Sequence, residues 1–88
     1  MHDYTMTGTV RLVKPVESVR DGFTKREIVI CDNDPRFPSE AAITFVGERC
    51  ALLDCIGVGE PVSVDFWIAG REWNGRHFVE LRGIAIHK

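Results

Sequence analysis

Apolar and polar residues alternate over most of this chain, which is the pattern of strands buried on one face only. The alternation predicts five β-strands, over Tyr4–Val16, Thr24–Cys31, Ala41–Val46, Val62–Arg71 and Arg76 to about Ile86. In the fourth strand the apolar side chains share one face, which we assign to the core: Val62, Val64, Phe66 and Ile68. The opposite face mixes charge with tryptophan: Ser63, Asp65, Trp67, Ala69, Arg71 and Trp73.

Turn and helix signals separate these strands. Asn74-Gly75 predicts a type I′ turn, because both central residues of that turn need positive φ. Asp21-Gly22 predicts the turn of a polar connector over Glu17–Phe23. Two prolines and two aspartates indicate a loop over Asp32–Pro38. Gly47–Cys55 is the only segment whose pattern favours a helix.

The order of three strands, one short helix and two strands predicts an all-β protein with one short helix. It is the order of the OB-fold, a five-stranded Greek-key barrel with a helix between strands three and four. Residues 1–88 are expected to form a single OB-fold domain. Such barrels bind oligonucleotides or oligosaccharides on the face of strands two and three. The loops that flank that face are here Glu17–Phe23 and Glu72–Gly75.

The composition is that of an ordinary globular protein, with 44% hydrophobic and 27% charged residues. No apolar run approaches the ~20 residues that span a bilayer, and the first residues form no apolar signal segment. The three cysteines are odd in number and widely spaced, which favours free thiols over a disulfide framework. We therefore expect a cytoplasmic protein that does not bind membranes.

The sequence carries no motif for catalysis, a metal or a cofactor. Cys50 and Cys55 have no second cysteine pair and no nearby histidine, so they do not predict a zinc site. Asp32-Asn33-Asp34 resembles the start of a calcium loop, but Phe37 and Ile43 stand where that loop needs glycine and glutamate. We expect no enzymatic activity and no cofactor.

The charge is unevenly distributed along the chain. The net charge is −2, which argues against a strongly basic nucleic-acid binder. Residues 11–26 nevertheless hold five basic and two acidic groups, and residues 66–88 hold four basic and two acidic groups. The middle, residues 27–65, holds two basic and eight acidic groups. A barrel that brings the first and last parts together would form a basic face on an acidic protein.

Three short motifs resemble those of bacterial single-stranded DNA-binding proteins: Gly59–Val64, Gly70–Trp73 and Gly75–Phe78. In those proteins a strand ends in Arg-x-Trp and is followed by a glycine-containing loop and an aromatic strand. The chain is more similar still to a family of small bacterial OB-fold proteins of uncharacterised function. That family carries an R-E-W-N-G-R hairpin and a W-G-x-x-x-x-L-L start to the helix, whose tryptophan is here Val46. The resemblance implies that Trp73 stacks on bases and that the first strand assembles dimers or tetramers.

Seven residues make up the candidate nucleic-acid-binding site: Lys25, Arg26, Phe37, Arg71, Trp73, Arg76 and Phe78. Their rings would stack on bases and their cations would contact phosphates. Other roles stay open for some of them. Trp73 could pack or join subunits, and a loop phenylalanine such as Phe37 could plug the barrel mouth. Arg71 and Arg76 could pair with Glu72 or Glu80 across the hairpin.

We therefore expect a non-enzymatic protein that binds single-stranded nucleic acid, DNA before RNA, and forms a homo-oligomer. The alternative is an OB-fold module for protein–protein interaction or oligomerisation that binds no nucleic acid. The acidic net charge and the acidic Asp65, Glu72 and Glu80 near the aromatic residues favour that alternative. Oligosaccharide binding is a third possibility, because it also uses flat aromatic side chains.

Overall fold

Six strands and one short helix make up the computed structural model, which describes residues 3–88. The strands are β1 (Tyr4–Val13), β2 (Glu17–Arg20), β3 (Phe23–Cys31), β4 (Glu40–Val46), β5 (Pro61–Trp73) and β6 (Arg76–His87). The helix is a 3₁₀ helix over Gly47–Leu53, between β4 and β5. No helix of the described part is long and apolar enough to cross a membrane.

The strands form one sheet that closes into a barrel. Their order is β1-β5-β6-β4-β3-β2, and β1 also pairs with β3. The pairings are antiparallel except that of β4 with β6, which is parallel at Ile43–Leu81 and Thr44–Arg82. Apart from the short β2, the sheet has five strands, and the helix lies between the third and the fourth of them, β4 and β5. This is the arrangement of the OB-fold, which confirms the fold predicted from the element order.

The predicted first strand is wrong in extent, because β1 ends at Val13 and Lys14-Pro15-Val16 are not part of any strand. A proline has no backbone N–H to continue the ladder. The predicted connector is also wrong in part, since Glu17–Arg20 resumes pairing along β3 as β2. All four β2 residues are exposed, so the strand has no buried face and leaves no apolar alternation to detect. The predicted helix is found, but as a 3₁₀ helix that ends at Leu53.

The core consists mainly of aliphatic side chains from every strand except β2 and β6, together with Leu53 of the 3₁₀ helix. Its fully buried members include Val10, Ile28, Ile30, Ile43, Phe45, Leu53, Val62 and Val64. The predicted core face of the fourth strand holds for Val62 and Val64 but fails at Ile68, which is 48% exposed. β1 pairs with β5 only as far as Phe66, so beyond that residue β5 pairs with β6 alone and Ile68 lies outside the core. From Ala69 and Glu80 outward, β5 and β6 form a two-stranded arm that ends at Trp73 and Arg76.

Gly83 is where the ring of Phe45 meets β6. β6 carries a β-bulge there, because Asp65 pairs with Ala85 whereas the next residue, Phe66, pairs with Gly83, which leaves Ile84 as the extra residue. A Cβ atom built on Gly83 would lie 2.4 Å from two carbon atoms of the Phe45 ring. Phe45 itself is fully buried, so the ring has nowhere to withdraw. The absence of a side chain at Gly83 is therefore a condition for packing the core.

Gly83→Ala should lower the free energy of unfolding by ~1–3 kcal/mol, the usual cost of forcing an extra methyl group into a packed core. Gly70→Ala is the matched control, since its new Cβ would find only Phe78 O at 3.8 Å, an ordinary contact. The control should keep or slightly raise the stability. Urea denaturation of both variants measures the difference. Equal unfolding midpoints would show that the Phe45 ring does not press on Gly83.

Candidate functional site

A cleft of about 570 Å³ lies between the β2–β3 hairpin and the β5–β6 hairpin. The two hairpins form its walls, and β4 forms part of its floor. Its lining, in chain order, is Val19, Arg20, Phe23, Lys25, Thr44, Val46, Ala69, Gly70, Arg71, Phe78, Val79, Glu80 and Arg82. These residues come from both ends of the chain, and the fold brings them to one surface. This cleft is the candidate site.

Both walls are built by tight hairpin turns. Asn74 and Gly75 have φ of 51° and 76°, as the predicted type I′ turn requires. Gly22 has φ of 73° in the Asp21-Gly22 turn. The primed turn matches the natural twist of the strands, so the arms stay paired to their tips. In the β5–β6 arm the pairing runs without interruption to Trp73 and Arg76.

Three of the four basic residues that line the cleft form no ion pair within the described residues. Arg20, Lys25 and Arg71 have no acidic partner within 4.0 Å among residues 3–88. Elsewhere basic side chains are paired, as in Arg11–Glu40, Lys14–Glu27, Arg26–Asp54 and Lys88–Glu60. A cation that has no internal partner keeps its full charge for a ligand. Of the acidic residues, the lining contains Glu80 alone, which pairs with Arg82.

Aromatic rings stand beside these cations. Phe23 lines one wall, with the Arg20 guanidinium 5.8 Å from the centre of its ring. Phe78 lines the other wall and is directly opposite Arg71 in the strand pairing. Trp73, two residues beyond Arg71, shares its face and is 62% exposed. Each wall therefore presents a flat apolar surface next to a free positive charge.

The structure brings together five of the seven residues chosen from the sequence. Lys25, Arg71 and Phe78 line the cleft. Trp73 and Arg76 pair with each other at the tip of the same arm and extend that wall outward. Neither Arg71 nor Arg76 forms the predicted alternative ion pair with Glu72 or Glu80 within the described residues. Trp67, on the mixed face of the fourth strand, is half-buried and is absent from the lining.

Arg26 is not part of the cleft. Strand alternation puts it on the face opposite Lys25, where its side chain is only 15% exposed. Its guanidinium donates hydrogen bonds to Lys14 O at 2.8 Å, Cys50 O at 3.4 Å and Asp54 Oδ1 at 2.6 Å. The side chain thus links the residue that follows β1 to the 3₁₀ helix. Adjacent basic residues on β3 therefore have different positions, and only Lys25 reaches the cleft.

Phe37 lies far from the cleft. Its loop joins β3 to β4 at the Cys31–Glu40 end, whereas the cleft is at the Lys25–Val46 end, about 20 Å away along the strand. The ring is 79% exposed and plugs nothing. Asp34 fixes the loop, because its carboxylate accepts hydrogen bonds from the backbone N–H groups of Phe37 and Arg36. Those bonds lower the pKa of Asp34.

Sequence reasoning missed several lining residues, above all Arg20, Phe23, Glu80 and Arg82. Arg20 and Phe23 were assigned to a connector, although they belong to β2 and β3. A signal was present for Phe23, since it stands two positions before Lys25 and so on the same face. Glu80 and Arg82 follow Phe78 at the same spacing on β6. Their place in the cleft depends on β4 and β5, which no local pattern reveals.

The arrangement can bind a chain that offers both flat rings and anions. It does not offer a metal site, because no group of three or more metal-ligating side chains occurs among the residues that the structure describes. Asp65, one of the acids counted against this surface, accepts a hydrogen bond from Thr5 and contacts His87, and these contacts lower its pKa. It lies outside the cleft lining.

Solved structures share this fold. The SSB domain of a protein from Synechococcus sp. superposes with a TM-score of 0.78 at 18% identity, covering 100% of this chain and 96% of that one. The mitochondrial single-stranded DNA-binding protein Rim1 of S. cerevisiae gives 0.78 at 15% identity, covering 98% and 92%. The single-stranded DNA-binding protein of Thermus aquaticus gives 0.78 at 14% identity, with 99% of this chain matched to 49% of that one. At such identities the likeness establishes the fold.

The sequence itself matches one family model and no curated protein. The match extends over residues 5–87, from β1 to the end of β6, and the family is described as a domain of unknown function, DUF3127. The resemblance to an uncharacterised family with the fold of single-stranded DNA-binding proteins is thus confirmed. The chain belongs to the DUF3127 family.

Proposed function

We propose that this protein binds single-stranded nucleic acid, DNA before RNA, in the cleft between the two hairpins. It acts as one OB-fold unit, without catalysis. The observation that carries the proposal is the meeting of three unpaired cations, Arg20, Lys25 and Arg71, with the rings of Phe23 and Phe78. The single-stranded DNA-binding proteins that share the fold support DNA as the ligand.

The chemistry of the ligand follows from the walls. Guanidinium and ammonium groups attract backbone phosphates, and each contact releases a counterion. Exposed rings offer stacking platforms worth ~1–3 kcal/mol per base. Stacking on a protein ring needs a base whose face is free, which a duplex does not provide. A single strand therefore satisfies both kinds of side chain at once.

Removing two of the cleft cations should weaken binding strongly. For the double variant Lys25→Gln/Arg71→Gln we expect the dissociation constant for a labelled 15-residue oligothymidine to rise at least ~10-fold at low salt. A plot of the logarithm of the association constant against the logarithm of the salt concentration should become less steep by ~1.4, because each phosphate contact on a single strand contributes ~0.7 to the slope. Fluorescence anisotropy at several salt concentrations measures both quantities.

The control for that experiment is Arg36→Gln/Arg49→Gln. Both arginines are exposed and have no carboxylate within 4.0 Å in the described part of the chain, but neither lines the cleft. The control removes the same charge and should change affinity less than threefold. Equal losses in the two double variants would mean that net charge alone governs binding, and would contradict a site in the cleft.

Trp73 should contribute a stacking surface at the tip of the wall. Trp73→Ala is expected to weaken oligothymidine binding about fivefold or more, with little change in melting temperature, because its ring is exposed. Phe37→Ala is the matched control, since Phe37 is also exposed, more so than Trp73, but lies far from the cleft. The affinity of this variant should be unchanged. Unchanged affinity in Trp73→Ala, together with dissociation into monomers, would instead support the protein-interaction module.

Self-association through β1 is part of the same proposal. β1 pairs with β5 from Tyr4 to Thr9 but with β3 only from Thr9 onward. The second edge of Tyr4–Gly8 therefore keeps unpaired backbone groups within the described residues, and such an edge can pair with another chain. Sedimentation over a range of protein concentrations should give the mass of two or four chains. A single-chain mass at every concentration would overturn self-association.

A further inference from the structure

Glu80 is a carboxylate in a cleft that is otherwise basic. Nucleic-acid phosphates repel a carboxylate, so its presence on the proposed binding surface needs a physical reason. The side chain is partly exposed and lines the cleft beside Phe78 and Arg82, which stand two positions away on either side. All three share one face of β6, at intervals of about 6.6 Å.

Arg82 holds Glu80 in place. The Arg82 Nε–H donates a hydrogen bond to Glu80 Oε2, which fixes the carboxylate and the guanidinium side by side. Glu80 Oε1 and the two terminal nitrogens of Arg82 have no hydrogen-bond partner within residues 3–88. The pair thus presents a free acceptor next to free donors. The opposite charges of Glu80 and Arg82 cancel, so the pair adds little to phosphate binding.

The surroundings leave room for a base at this pair. Ala69 is the residue paired with Glu80 across β5 and β6, and its side chain is a single methyl group. Phe78, one step further along the face, is exposed. A base stacked on the Phe78 ring would have an edge within reach of Glu80. Single-stranded bases offer their Watson–Crick edges to such contacts.

We propose that the Glu80–Arg82 pair reads guanine at one position in the cleft. This inference rests on the proposed function and deepens it by naming a base preference. Guanine presents two adjacent donors, N1–H and the N2 amino group, which a carboxylate accepts together. Beside them is the O6 acceptor, which a guanidinium can bind. The pair and the guanine edge are complementary in both charge and order.

The other bases match this pair less well. Thymine has one N–H donor between two carbonyl acceptors, so a carboxylate meets repulsion on either side of its one bond. Adenine and cytosine each offer a single amino group, followed by ring or carbonyl acceptors. Only guanine offers two adjacent donors to Glu80, one for the free Oε1 and one for the remaining lone pair of Oε2. A cleft that stacks all bases alike would then still favour a strand with guanine at the right position.

The first test uses wild-type protein and three 15-residue probes. One is oligothymidine, one carries a single central guanine, and one carries hypoxanthine at that position, which lacks the N2 amino group. The guanine probe should bind about fivefold or more tightly than oligothymidine, and hypoxanthine should lose most of that gain. If no probe binds, the proposed function itself fails. If all three bind equally, the function stands and the guanine preference is overturned.

The second test separates base reading from charge. Glu80→Gln should abolish the preference for the guanine probe while keeping or raising the affinity for oligothymidine, because a repelling charge is removed. Glu72→Gln is the matched control, since Glu72 lies on the same arm but outside the lining, and it should keep the preference. A guanine preference that survives in Glu80→Gln would overturn the assignment.

Discussion

The closure of the sheet by β1 is the constraint on which the rest of the structure depends. β1 leaves β5 and crosses onto β3 near Thr9, where the two strands come very close. A Cβ atom on Gly8 would lie 2.1 Å from Cys31 O, so only glycine allows this crossing. Closure buries Val10 and joins the N-terminal strand to β3. Without it, β5 and β3 would be open edges, and the barrel that carries the two hairpins would be an open sheet.

The closed barrel also explains why the two arms are free to bind. All of the fully buried core side chains come from the barrel and the 3₁₀ helix. The β2–β3 turn and the outer half of the β5–β6 arm contribute none of them, so their residues can vary in chemistry at little cost to stability. Lys25 and Arg26 show how adjacent residues divide between binding and structure. Lys25 faces the cleft, whereas Arg26 holds the 3₁₀ helix in place.

Local signals were enough for some elements and insufficient for others. Asn74-Gly75 encodes its turn in two residues, because the required φ values are a property of those residues. β2 escaped detection since its four exposed residues have no buried face. Ile68 was misplaced because alternation continues along a strand after the strand leaves the core. Arg20, Glu80 and Arg82 meet only through the barrel, so no local pattern could assign them to one site.

The acidic balance of the chain does not oppose a basic cleft. At 0.1 M salt the Debye length is about 10 Å, so a ligand senses mainly the charges that line its own site. Several acidic side chains outside the cleft already form ion pairs: Glu40 with Arg11, Glu27 with Lys14 and Asp54 with Arg26. The unpaired cations of the cleft are then the charges nearest to a bound strand. Remote acids weaken nonspecific attraction to duplexes more than they weaken contacts inside the cleft, which favours ligands that also use the rings and the base edges.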